Sequence, residues 1–236
     1  MTRDVLWQGV NNPQSLHPEQ LTRAHALADA AKAYRWAVVL AQLQIWPEGL
    51  NASRVGGGSG FTPLHQAAHG GAPADVVQAL LTLGAFRTLR TSEGQRAVDL
   101  ARAYGYTHLL ELLEPQPLVF YPQDKVSLLE QGVHQVIRSR AGVAPLLQTH
   151  AMRLPPVEVL TEIPEQSLWF PVPGMYGGFW LRLGGVADEP VCLVDSWERV
   201  VDGSEERRLV TTAGTVELHK RESGPVFTIT PPSTPQ

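Results

Sequence analysis

One segment constrains this chain more than any other, because it recurs. Gly60-Phe61-Thr62-Pro63-Leu64-His65-Gln66-Ala67-Ala68 is followed by Gly71, then by Val76-Val77-Gln78-Ala79-Leu80-Leu81 and Gly84-Ala85. Thirty-four residues on, Gly94-Gln95-Arg96-Ala97-Val98-Asp99-Leu100-Ala101 repeats the pattern, with Gly105 and Leu109-Leu110-Glu111-Leu112-Leu113 behind it. Each copy predicts two short helices. Thr62-Pro63 starts the first, with proline in the first turn, where a missing N–H costs nothing. Leu64, Ala67 and Ala68 form its apolar stripe, and the alanines are small enough to let another helix come close. Gly71 ends it, Val76, Val77, Leu80 and Leu81 give the second helix its apolar face, and Gly84 stops that helix in turn. Such a pair cannot bury its apolar surface alone, so copies must pack on one another.

At least three units are normally needed for such packing to be stable. A degenerate copy precedes the other two. Leu27, Ala30, Ala31 and Tyr34 suit a first helix that takes in residues 18–27, Trp36, Val39, Leu40 and Leu43 suit a second, and Pro47 and Gly49 stop it. The G-x-T-P-L-H-x-A-A pattern with its following V-V-x-x-L-L helix resembles the ankyrin repeat. That resemblance implies an all-α ankyrin-repeat solenoid of about three repeats, roughly 21–55, 59–92 and 93–115, in a domain over 1–115. The last copy departs from the pattern, with Arg96-Ala97 for Thr-Pro and Val98-Asp99 for Leu-His, as a terminal, capping repeat does. The resemblance also implies a binding face for another protein, made by inner helices and finger loops. The finger after the second repeat carries Phe86, Arg87 and Arg90, and aromatic residues with arginine are the usual material of interaction hot spots.

Pro115-Gln116-Pro117 marks a short, stiff boundary. Beyond it the period changes. Residues 123–141 read as a helix with Leu128, Leu129, Val133, Val136 and Ile137 on its apolar face, and 143–152 as a second helical piece. Strands are expected at 157–162, 168–172, 178–183, 191–200, 207–211, 215–220 and 226–230, with hairpin connections at Gly184-Gly185, Asp202-Gly203 and Ala213-Gly214. This is an α+β domain over 118–230 with an antiparallel sheet, followed by a disordered tail at 231–236. The fold class is therefore α+β and multidomain. The run Trp169-Phe170-Pro171-Val172-Pro173-Gly174-Met175-Tyr176-Gly177-Gly178-Phe179, with Ser196-Trp197 further on, resembles the second half of a group of bacterial ankyrin proteins. This resemblance implies architecture and no mechanism.

Composition narrows the function classes. Residues 1–115 carry 9 basic and 9 acidic residues, and residues 116–236 carry 10 and 14, so neither half has the positive field that nucleic acid requires. No apolar run spans a bilayer, and the amino-terminal residues do not read as a secretory signal. With Cys192 as the one cysteine, a cytoplasmic monomer is the expectation. The stretch from 131 to 157 holds Arg138, Arg140, Arg153, His134 and His150 with no acid. It reads as a solvated helix face, or as a small anion or partner patch.

The motifs that suggest chemistry mostly read as structure. His65 and His69 are four apart, but His65 is the ordinary histidine of the T-P-L-H turn and no third metal ligand is at hand. Gly56-Gly57-Gly58-Ser59-Gly60 lacks the lysine and the strand–loop–helix order of a phosphate loop. Asp195 and Glu198 fall on opposite faces of a strand, so the acids at 195, 198, 202, 205 and 206 do not make a carboxylate pair. Cys192 reads as a buried, inert thiol. No cofactor, metal or catalytic residue is expected. The expected function is a non-enzymatic interaction module that binds another protein, with contacts at Phe86, Arg87, Arg90, Trp169, Tyr176 and Trp197. The alternative is a small-molecule binder or enzyme with its site in the α+β domain, around Trp169, Tyr176 and Trp197.

Overall fold

The computed structural model describes residues 5–186, 188–199 and 204–218. The chain forms two compact units. The repeat unit holds Gln8–Gln116 and His150–Arg153, and the sheet unit holds the remainder.

In the repeat unit the helices come in pairs: α1 (Pro18–Lys32) with α2 (Trp36–Ile45), α3 (Pro63–His69) with α4 (Ala74–Thr82), and α5 (Ala97–Ala103) with the single turn α6 (Leu110–Leu113). The first helices pack in chain order, α1 on α3 and α3 on α5, and the second helices do the same, α2 on α4 and α4 on α6. Ala30, Ala67 and Ala101 are fully buried, one in each first helix, and permit that approach. The three pairs turn alike. Arg35 N–H donates to Ala30 O, Ala72 to Ala67 and Tyr106 to Ala101, each at 2.9 Å, the long-range bond of a Schellman helix end. The residue before each donor is left-handed: Gly71 at φ 59, Gly105 at φ 75, but Tyr34 at φ 56.

The helix starts are equally regular. The third residue of each first helix reaches back to the N–H of the residue before the helix: Gln20 Oε1 to His17, His65 Nδ1 to Thr62 and Asp99 Oδ2 to Arg96, at 3.2, 3.3 and 2.9 Å. The absence of Thr-Pro and His in the third copy is thus met by a carboxylate in the same role. Leu43, Leu64, Leu80, Leu109 and Leu113 fill the common core.

The sheet unit has six strands in the order β1 (Val5–Leu6), β2 (Ser167–Val172), β3 (Gly177–Val186), β4 (Glu189–Glu198), β5 (Ser204–Thr211) and β6 (Gly214–Glu217). Helix α7 (Gln123–Ser139) covers one face against β4, β5 and β6, and α8 (Val143–Thr149) packs on α7 and β2. Alternation decides the faces. Leu168, Phe170, Phe179, Leu181, Cys192, Val194 and Val210 are buried on the face toward α7. Val126, Leu129, Val133, Val136 and Ile137 are buried along α7. Leu128, expected on that apolar face, is half exposed.

Several expectations need correction. The sheet is mixed, because β1 pairs parallel to β2; a crossover through the whole repeat unit is long enough for that, and two residues carry no readable alternation. Residues 157–162 are a 3₁₀ helix, Val157–Glu162, and not a strand. Its first residue donates to Glu130 Oε2 at 2.8 Å, so a side chain of α7 replaces a strand partner. Gly184-Gly185 is no hairpin turn. Both lie inside β3, where Gly185 takes φ 150 against Pro190 and Glu189 of the neighbouring strand. The hairpin at Asp202-Gly203, the strand at 226–230 and the tail at 231–236 lie outside the described residues.

Candidate interaction surface

The finger residues are largely structural. Phe86 is 7% exposed, and its N–H donates to Asn51 Oδ1 at 2.9 Å while Asn51 Nδ2 donates to Gly84 O at 3.0 Å. The side chain is buried rather than displayed at a finger tip, as the expectation had it. The half-buried Arg87 uses Nε to donate to Leu112 O at 2.8 Å, tying the finger to the next repeat. Arg90 is exposed, with Nη1 on Gly94 O at 3.1 Å.

His65 is the hinge of the same finger. Nδ1 takes the Thr62 N–H, so Nε2 carries the proton and donates to Leu89 O at 3.1 Å. Burial pushes its pKa from 6.5 down to about 4, against the backbone bonds to Leu89 and Gln95 that raise it. Both ring nitrogens are thus committed to hydrogen bonds that hold the turn and the finger. Among the described residues, no group of three or more His, Cys, Asp or Glu is placed to hold a metal ion.

Where the first helices end, the repeat unit gathers aromatic rings from all three pairs. Sequence pattern places Tyr34 on a helix stripe, pairs His69 only with His65, and gives Tyr104 no role. Their rings lie in one row: Tyr34 to His69 at 6.4 Å, His69 to Tyr104 at 4.7 Å, Tyr104 to Tyr106 at 6.4 Å, with Phe61 5.9 Å from His69 and Trp36 5.8 Å from Tyr34. The Tyr34 hydroxyl and His69 Nδ1 are hydrogen-bonded at 2.8 Å. The row rests on Gly70 and Gly71, where a Cβ would run into the rings of Tyr34 and Tyr106. Tyr34 and Tyr104 stay 41% and 54% exposed. The available signal was the occurrence of a ring at the end of the first helix in every copy.

In the sheet unit, Trp169 and Trp180 are cross-strand neighbours with rings 5.1 Å apart, on the face away from α7. Trp197 lies on that face too, opposite Gly178, and is 40% exposed. Tyr176 is at the β2–β3 hairpin tip, 79% exposed, with φ 53. The glycines of this segment are forced by packing: a Cβ on Gly177 would meet the Trp197 carbonyl and one on Gly178 the Phe170 carbonyl. The three predicted residues thus share one flank of the sheet, where strands and a hairpin tip make a surface. The acids nearby are paired. Asp195 takes Arg182 at 2.6 Å and Arg207 at 2.5 Å on the open face, while Glu198 and Glu206 meet the buried Arg140 on the face toward α7. Cys192 is fully buried and its thiol is pushed up to about 12 by desolvation, as an inert core residue would be.

Paired helices joined by the same turn in chain order define a helical-repeat protein. Residues 59–92 match the family model of the ankyrin repeat, which supports an ankyrin-repeat protein. No curated protein matches it. Ankyrin repeats are in general protein–protein interaction modules, and no helix among the described residues is long and apolar enough to cross a membrane.

Proposed function

We propose that the protein is a non-enzymatic adaptor. Its ankyrin repeats, roughly 21–55, 59–92 and 93–115 within a domain over 1–115, form a solenoid that binds another protein. An α+β domain over 118–230 supplies a second contact surface through Trp169, Tyr176 and Trp197. The observation that carries this reading is the row Tyr34, Phe61, His69 and Tyr104. Tyr34 and Tyr104 are exposed, with Phe61 and His69 half-buried between them, and rings held at fixed positions lose little conformational freedom on binding and are typical anchors. Arg90 and Arg87 flank the finger side, and Phe86 acts from beneath as support.

Tyr34 supports the reading on its own. A tyrosine in the left-handed conformation costs about 1 kcal/mol or more, and such strain concentrates at functional positions. The other two repeats place glycine there. The test is capture of partners from source-organism lysate by immobilised full-length protein, with Tyr104→Ala and Tyr176→Ala variants alongside. A protein retained by wild type and Tyr176→Ala but lost with Tyr104→Ala supports the ankyrin row. Retention that ignores Tyr104 refutes it.

A further inference from the structure

Partner chains are recognised in a few backbone forms, and the aromatic row of the repeat unit suits one of them. Addition of a strand requires a sheet edge, and among the described residues of the repeat unit there is no strand. A helix requires an apolar groove broad enough for a cylinder about 10 Å across. The row is instead a line of single rings. Its centroids stand 6.4, 4.7 and 6.4 Å apart from Tyr34 through His69 and Tyr104 to Tyr106. The ring planes are turned by 31°, 66° and 25° in the same order, so the rings enclose narrow clefts. The advance from ring to ring is that of about two residues in a polyproline II helix, which rises about 3.1 Å per residue.

A polyproline II backbone has no internal hydrogen bonds, so its carbonyls need donors. The row supplies them. Among the described residues, nothing takes up the hydroxyl of Tyr104 or Tyr106 or the indole N–H of Trp36. A tyrosine offers a ring face to a proline and a hydroxyl to the carbonyl beside it. The Tyr34 hydroxyl is held by His69 at 2.8 Å, which fixes both rings before any partner arrives. Charge marks one end. Lys32 and Arg35 flank Tyr34 in the chain, both exposed, and neither forms an ion pair among the described residues. The nearest acid in sequence, Asp29, is taken by Arg54. A cationic end is complementary to an acidic residue on the partner.

Resting on the adaptor reading of this row, we infer that its partner is a proline-rich segment in the polyproline II form. The prolines lie in the clefts between Tyr34, His69 and Tyr104, and an acidic residue of the segment meets Lys32 and Arg35. A stiff ligand and fixed rings both lose little freedom on association, so a narrow contact suffices. The left-handed Tyr34 has a purpose in this arrangement, because it brings a ring from the turn into line with His69. A glycine there, as in the other two repeats, would leave the row without a ring at its charged end.

Isothermal titration calorimetry of the full chain tests this with three synthetic peptides of about ten residues, a length that spans the row. The first carries paired glutamates followed by repeats of Pro-Pro-Leu, the second has alanine for every proline, and the third has lysine for the glutamates. The first should bind at one site. The second should be at least about tenfold weaker, because its backbone must be ordered on binding, and the third about fivefold weaker at low salt. Tyr104→Ala should weaken the first peptide at least about tenfold, and Tyr104→Phe, which keeps the ring, about three- to fivefold. No saturable heat with the first peptide overturns the inference. So does equal binding by either control peptide, or an unchanged affinity in Tyr104→Ala. A lysate protein held through Tyr104 that the first peptide fails to displace overturns this inference and leaves the adaptor reading standing, whereas its displacement supports both.

Discussion

The two units use glycine in opposite ways. In the repeat unit, Gly71, Gly84 and Gly105 supply left-handed turns that end helices, and Gly70 and Gly71 leave space on which rings lie. In the sheet unit, Gly177 and Gly178 let one strand lie against the carbonyls of its neighbours. The first use is local and tolerant, since a turn depends on a few residues. The second is long-range, since the carbonyls belong to Phe170 and Trp197 on other strands. A side chain can move away from a new methyl group, whereas a paired backbone cannot.

Gly178→Ala should therefore be the most damaging single change, at about 4 kcal/mol or more, because it drives a Cβ into a ladder carbonyl. Urea denaturation followed by near-ultraviolet circular dichroism measures this, and a loss under about 1 kcal/mol would show that the strands can part at little cost. Next comes Leu80→Ala in the repeat unit, where a fully buried leucine should cost about 3 kcal/mol within the usual range for such truncations. A cost below about half a kilocalorie would place Leu80 outside the core.

His65 sharpens the contrast through pH. The fold holds its pKa at about 4, while the unfolded chain takes up a proton near 6.5. Between these values the unfolded state binds more protons. Stability is intact above about pH 6.5, falls as pH drops toward 4, and is then flat for this group, with a total of about 3 kcal/mol. Chemical denaturation at a series of pH values reads this slope. His65→Gln, which keeps the reach-back bond that Gln20 makes in the first repeat, should flatten it. An equal slope in both proteins would assign the acid sensitivity elsewhere.

How much of this was readable follows the same division. The helix pairs, their stops and the role of His65 follow from patterns within ten residues, where proline, glycine and alanine positions each have one physical meaning. The β2, β3, β4 and β5 strands were readable from alternation. The residues 157–162 were not, because Val157 and Val159 alternate as a strand would, and only a glutamate on α7 in space makes the segment a 3₁₀ turn. Strand β1 escaped because its partner lies 163 positions away. Phe86 looked like a finger-tip anchor because sequence distinguishes a loop from a helix and not a buried loop from an exposed one. The aromatic row escaped because Tyr34 stands where a turn glycine is expected, so its ring was counted toward a helix stripe.

The smallest expected stability change is at Tyr34, and it is the most informative. Replacing it with glycine relieves left-handed strain of about 1 kcal/mol and removes a hydrogen bond to His69 worth about as much. The melting temperature should thus move little. The measurement that bears most directly on the adaptor account is partner retention by Tyr34→Gly beside wild type, under conditions where both melt alike. The account predicts that the variant loses the partner that wild type holds. Full retention of that partner by a variant with no ring at position 34 would contradict it.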